Sequence, residues 1–83
     1  MIKLVEISSA SDVVDQLKSQ SIRILGLNGQ IITDGSVEEP LEYTTTDLSS
    51  LGNDVYQYSK ELITRFIAEN KKLTHIEFVL DND

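Results

Sequence analysis

The spacing of apolar residues predicts two amphipathic helices. The first has apolar residues at intervals of three and four, which places them on one helical face: Ala10, Val13, Val14 and Leu17. A longer stretch, Asp54–Lys72, repeats this spacing. Ser9 and Asp54 are residue types that commonly precede helices, because their side-chain oxygens accept hydrogen bonds from the first turn. We therefore predict one helix after Ser9 and a second, longer helix from Asp54.

Shorter apolar runs predict strands at both ends of the chain. Ile2–Ile7 has apolar residues on both faces, which favours a strand near the middle of a sheet. Leu73–Leu80 alternates instead, so His75 and Glu77 are expected to face outward while the residues between them face the core. We predict a strand in each stretch.

The dipeptide Asn28-Gly29 predicts a β-hairpin. It separates two strand-like stretches, Ser21–Asn28 and Gln30–Thr33. Asn-Gly favours a tight two-residue turn because both turn residues adopt positive φ angles. A turn at this point would place Arg23 opposite Asp34, a favourable cross-strand pair of charges.

The resulting order, β-α-β-β-α-β, predicts one α+β domain over residues 1–83. We expect a ferredoxin-like two-layer sandwich, with a four-stranded antiparallel sheet and two helices on one face. Its central strands would be Ile2–Ile7 and Gln30–Thr33. An extra edge strand is expected near residues 41–46. An α/β layer with another strand order is the alternative.

Charge separates one segment from the rest of the chain. The net charge is −7, and Ile24–Ser59 contains six carboxylates and no Lys or Arg. Within it, residues 35–53 resemble an insert because they lack the clear apolar spacing of a helix or a strand. A net negative charge opposes binding to nucleic acid or to anionic membranes. The expected central strands also lack the aromatic residues on which RNA-binding sheets of this topology stack bases.

The chain lacks the residue patterns of common enzymes and metal sites. It has no Cys, and His75 is its only His. The glycines stand singly, so no phosphate-binding loop is present, and the acidic residues do not match a calcium-binding loop. We therefore expect no catalytic residues, no metal and no cofactor.

These observations favour a non-enzymatic protein-interaction domain. We expect its acidic segment to bind or inhibit a protein with a basic surface, including a nucleic-acid-binding protein whose groove it would occupy by imitating phosphate charge. The residues expected to contact this partner share the acidic segment: Asp34, Glu38, Glu39, Glu42, Tyr43 and Asp47.

Two alternatives remain open at this point. The chain could be an assembly subunit that forms a homodimer through its sheet, using an apolar outer face supplied by Val5, Leu25, Leu27 and Ile32. A small-molecule sensor or an enzyme has less support. The absence of Cys, and a first segment too short and too charged for a signal peptide, favour a cytoplasmic location.

Overall fold

A computed structural model describes residues 1–45 and 47–81 of the chain. Three short 3₁₀ segments, Ile7–Ser9, Leu41–Tyr43 and Leu48–Asp54, join the regular elements. The strands and helices are β1 (Ile2–Glu6), α1 (Ala10–Ser19), β2 (Arg23–Thr33), β3 (Ser36–Glu38), β4 (Thr44–Thr45), α2 (Val55–Glu69) and β5 (His75–Asp81). The predicted α+β class is confirmed, with two helices packed on an antiparallel sheet in the predicted order of elements.

The strands lie in the order β1-β5-β2-β3, and β4 pairs with β2 beside β3. The two β-α-β units interleave, as predicted for a ferredoxin-like sandwich, but β5 and β2 are the central strands. The prediction of a central Ile2–Ile7 strand was therefore wrong. Only Val5 of β1 is buried, whereas every second residue of β5 is buried. The burial pattern of β5 therefore suits a central strand, with a neighbouring strand on each side. The predicted extra edge strand is confirmed as β4, while Thr46 lies outside the described residues.

The predicted turn at Asn28-Gly29 is wrong, because β2 runs through these residues as one strand. Gly29 does not have a positive φ, and it lies opposite Ile76 of β5. The chain turns instead at Asp34-Gly35, where Gly35 has a φ of 78° and β3 folds back along β2. Arg23 consequently lies opposite Asp81, not opposite Asp34.

Gly29 is required for packing and not for a turn, although Asn-Gly in the sequence is typical of a turn. A β-carbon at this position would lie 3.0 Å from Cβ of Tyr43 and 3.2 Å from Cδ1 of Leu73. These distances are shorter than ordinary van der Waals contacts, so the absence of a side chain allows both neighbours to approach β2.

One apolar cluster joins both helices to the inward face of the sheet. Phe66 of α2 and Phe78 of β5 are among its largest fully buried side chains, and Val14 of α1 packs in the same cluster. Burial of this face stabilises α1, whose ten residues are too few for a stable isolated helix. Within the described residues, no helix has the length and apolar character that crossing a membrane requires.

The helix boundaries are close to those predicted, but the caps differ. Ser9 and Asp54 occupy the N-cap positions, yet neither side chain makes a capping hydrogen bond. The second helix ends at Glu69 and not at Lys72. Asn70, which follows it, has an extended backbone, and its side-chain oxygen accepts a hydrogen bond from the Lys72 N–H at 2.9 Å.

Candidate functional site

Four of the predicted contact carboxylates lie along one edge of the sheet. From Asp34 onward the chain runs back beside the second half of β2. Ser36–Glu38 pairs with Ile31–Thr33, and Thr44–Thr45 pairs with Leu27 and Asn28. We call residues 34–45 the acidic edge, and its carboxylates are Asp34, Glu38, Glu39 and Glu42. It follows β2 over about 20 Å, at roughly 3.3 Å per residue.

The four carboxylates of the acidic edge belong to exposed residues. The ion pairs between described residues are Lys60–Asp15 and Arg65–Glu69, and both lie on the helices. No described cation therefore neutralises the acidic edge. Its negative charge is available to a partner.

Two apolar side chains are exposed among these carboxylates. Val37 of β3 is 62% exposed and Leu41 is 85% exposed. Neither was predicted as a contact residue, because residues 35–53 have no apolar periodicity that separates inward from outward positions. The signal that could have identified them is their position: Val37 precedes Glu38-Glu39 and Leu41 precedes Glu42. Exposed apolar residues close to charged ones are common in protein-binding surfaces.

The acidic edge also has an open strand side. In the described part of the chain β3 pairs only with β2, so its other side has no neighbouring strand. Alternate residues of such a strand direct their N–H and C=O groups away from the sheet, where an extended peptide can pair with them. With only three residues, β3 offers a short platform.

A buried amide holds one of the carboxylates in place. Gln30, only 5% exposed, donates from Nε2 to Glu39 Oε2 at 3.0 Å and to Glu77 Oε2 at 3.2 Å. Asn28 Nδ2 donates to the other Glu77 oxygen at 3.0 Å. These bonds fix Glu39 against β2 and bring the Glu77 carboxylate beside the acidic edge. In residues 1–45 and 47–81, His, Asp and Glu form no group of three or more that could hold a metal ion.

Tyr43 anchors the acidic edge to the core. Its ring is half-buried and meets the Phe66 ring edge-on, with centroids 5.2 Å apart and planes at 73°. Tyr56 is structural, since it is buried and its hydroxyl donates to the Ile22 carbonyl at 2.9 Å. Tyr58 is 42% exposed on α2. A contact role for Tyr43 stays a prediction.

Asp47, the remaining predicted contact residue, lies beyond the acidic edge. It is exposed, has a left-handed backbone with a φ of 58°, and accepts a hydrogen bond from the Ser49 hydroxyl at 3.1 Å. Its carboxylate therefore helps shape the start of the 3₁₀ segment Leu48–Asp54.

His75 lies on the outer face of β5, as predicted, and its ring is tied to a neighbour. Its Nδ1 lies 2.8 Å from the Thr74 hydroxyl oxygen, which accepts a hydrogen bond from the Ile32 N–H. Glu77, on the same face, bonds to Asn28 and Gln30 instead. The pair is thus not arranged as a histidine oriented by a carboxylate.

Two of the four apolar residues expected on the outer sheet face lie in the core, whereas Leu25 and Ile32 are half-buried and outside the core cluster. Val5 and Leu27 are buried in the core, so the expectation that they supply this face was wrong. β2 carries Leu27 inward opposite Phe78, and Val5 faces inward opposite Ile76. Ile2 and Leu4 of β1 are the exposed apolar residues at this end of the sheet, at 63% and 50%.

No protein-family model, curated protein or solved structure matches the chain significantly.

Proposed function

We propose that this chain is a non-enzymatic protein-interaction domain that binds a basic partner through the acidic edge. The observation that carries the proposal is the run of four exposed carboxylates, none in an ion pair with a described cation, in a segment that also exposes Val37 and Leu41. Protein-binding surfaces commonly combine exposed apolar residues with charged residues.

Charge and apolar contact would have separate roles in this complex. The carboxylates attract a basic surface over a distance, which raises the association rate, and added salt lowers that rate again. Val37 and Leu41 lose water on contact and slow dissociation, because apolar burial is insensitive to salt screening. A partner with Lys or Arg around an apolar recess fits both features.

The spacing of charge supports a sharper version, in which the partner is a nucleic-acid-binding protein and the chain acts as its inhibitor. The carboxylates form a row along about 20 Å of strand. To the nucleic-acid-binding groove of a partner, this row presents negative charge, as a phosphate backbone does. Tyr43 and Asp47 belong to the proposed contact set as neighbours of this row. Inhibition would follow from occupation of the groove.

Affinity capture from the native host tests this proposal. The immobilised chain is exposed to cell extract at low and at high salt, and retained proteins are identified by mass spectrometry. We expect a basic protein that is retained at low salt and released at high salt, and that nucleic acid displaces. Retention of no basic protein, or retention unaffected by salt, would contradict the proposal.

A second candidate, self-association through β1, has its own support. β1 is the other terminal strand of the sheet, and Ile2 and Leu4 are exposed on it. Two copies paired side by side would extend the sheet and cover both residues. Sedimentation at high micromolar concentration decides: a dimer that Leu4→Lys dissociates supports this candidate, and a monomer excludes it.

A further inference from the structure

A polar pocket lies at the end of the molecule opposite the acidic edge. Its volume is about 430 Å³, and it lies where α1 ends and where β2 and α2 begin. Its lining residues are Lys18, Ser21, Arg23, Asn53 and Tyr56. Two of these five are cations and none is a carboxylate, in a chain whose net charge is −7. The charge of the lining residues is therefore opposite in sign to that of the whole protein.

The two cations of the pocket form no ion pair with a described residue. Asp81 lies opposite Arg23 in the β2–β5 ladder but does not line the pocket. The open groove between α1 and α2, about 360 Å³ in volume, differs in the pairing of its cations. Its cations, Lys60 and Arg65, are paired with Asp15 and Glu69. The pocket beside β2 thus differs from this groove in that its cations form no ion pair with a described residue.

Ser21 occupies an unfavourable backbone conformation in the pocket wall. Its φ is 57°, in the left-handed region that a residue with a β-carbon adopts at an energetic cost. The position closes α1, since Ser21 N–H donates to the Lys18 carbonyl at 3.1 Å and Ile22 N–H donates to the Leu17 carbonyl at 2.9 Å. Glycine is the residue this helix ending favours. Serine adds a hydroxyl that makes no hydrogen bond to the described residues.

We propose that this pocket binds the phosphate group of a small molecule. The Arg23 guanidinium can donate two parallel hydrogen bonds to phosphate oxygens, and Lys18 adds a second positive charge. The Ser21 hydroxyl and the Asn53 amide supply further donors. The volume of the pocket is within the range of small-molecule sites, so it leaves room for the group that carries the phosphate. This site is independent of the acidic edge.

The experiment is a titration of the ¹⁵N-labelled chain with inorganic phosphate and, separately, with ribose 5-phosphate at constant ionic strength. We expect saturable amide shifts confined to residues 18–23 and 53–56. Arg23→Gln and Lys18→Gln should each weaken binding about tenfold, as expected for a charge-assisted hydrogen bond. Lys72→Gln makes the same change in net charge away from the pocket and should leave the affinity unchanged. Tighter binding of ribose 5-phosphate would identify a phosphorylated molecule as ligand, and equal binding would identify phosphate itself.

Ser21→Gly separates a binding role from a structural one. Glycine relieves the left-handed conformation, so we expect the melting temperature to rise by roughly 4 °C while phosphate affinity falls. A rise in melting temperature with unchanged affinity removes Ser21 from the site. The proposal as a whole is overturned if neither ligand gives saturable shifts, or if Lys72→Gln weakens binding as much as Arg23→Gln.

Discussion

The two ends of β2 carry opposite charge. Its eleven residues span ten intervals of about 3.3 Å, so the strand is nearly as long as the molecule, whose longest dimension is 34 Å. At the Arg23 end lies a pocket with two cations that form no ion pair with a described carboxylate, and beside the other half of the strand lies the acidic edge. The net charge of −7 therefore does not reveal that charge is distributed unevenly along β2. The two ends are expected to bind ligands of opposite sign.

The two ends also differ in how they are held. Backbone hydrogen bonds of a regular helix ending position the pocket wall. Side chains hold much of the acidic edge: the Tyr43 ring, the Gln30 amide, and the Thr45 hydroxyl, which accepts from the Leu27 N–H and donates to its carbonyl, each at 3.1 Å. Single side-chain substitutions should therefore disturb the acidic edge more than the pocket.

Tyr43→Ala is expected to have the largest effect on stability. It removes a half-buried ring that packs edge-on against Phe66, so the free energy of unfolding should fall by about 3 kcal/mol. Tyr43→Phe, which keeps the ring, should cost less than about 0.5 kcal/mol. Urea denaturation measures both. A loss below about 1 kcal/mol for Tyr43→Ala would mean that Tyr43 does not anchor the edge.

Gly29→Ala should lower the free energy of unfolding by about 2 kcal/mol, because the new β-carbon would crowd Tyr43 and Leu73. Gly35→Ala is the matched comparison, since Gly35 has a positive φ but no neighbouring atom within 4 Å of the position a β-carbon would take. Its cost should be about 1 kcal/mol, from backbone conformation alone. Gly35→Asn should recover part of that loss, whereas Gly29→Asn should not. Equal losses at both glycines would contradict the packing role of Gly29.

Leu41→Ser should leave stability within about 0.5 kcal/mol of the original, because Leu41 is 85% exposed. Its effect should appear in binding, as about a tenfold weaker affinity for the basic partner, mainly through faster dissociation. Tyr58→Ser removes a partly exposed apolar residue from α2 and is the control. Surface plasmon resonance measures both rates. An unchanged dissociation rate for Leu41→Ser would remove Leu41 from the proposed site.

Local patterns predicted the elements that packing later confirmed, and they were wrong where a tertiary contact decided the structure. The periodicity around Val14 and Phe66 marks α1 and α2, because each helix buries one face. Asn28-Gly29 and Asp34-Gly35 are both strong turn signals, but only the second forms a turn. The difference lies in Tyr43 and Leu73, distant in sequence, which pack against Gly29.

The sequence predicted the carboxylates of the candidate site but not its exposed apolar residues. Charge composition alone marked the acidic segment, and the structure brings Asp34, Glu38, Glu39 and Glu42 to one sheet edge. The exposure of Leu41 could not be derived from hydrophobic periodicity, because a short 3₁₀ turn without a repeating pattern determines which side chains point outward. The pocket was missed because its cations, Lys18 and Arg23, come together only when α1 ends beside β2.

The most direct test of the acidic edge compares two triple variants with the same net charge. Glu38, Glu39 and Glu42 are changed to Gln in one, and the helical residues Asp12, Glu61 and Glu69 are changed to Asn or Gln in the other, so each variant has a net charge of −4 in place of −7. The dissociation constant of the captured basic partner is measured for both by calorimetry. We predict at least a hundredfold loss for the edge variant and less than a threefold loss for the helix variant. Equal losses would mean that net charge, and not the acidic edge, drives binding.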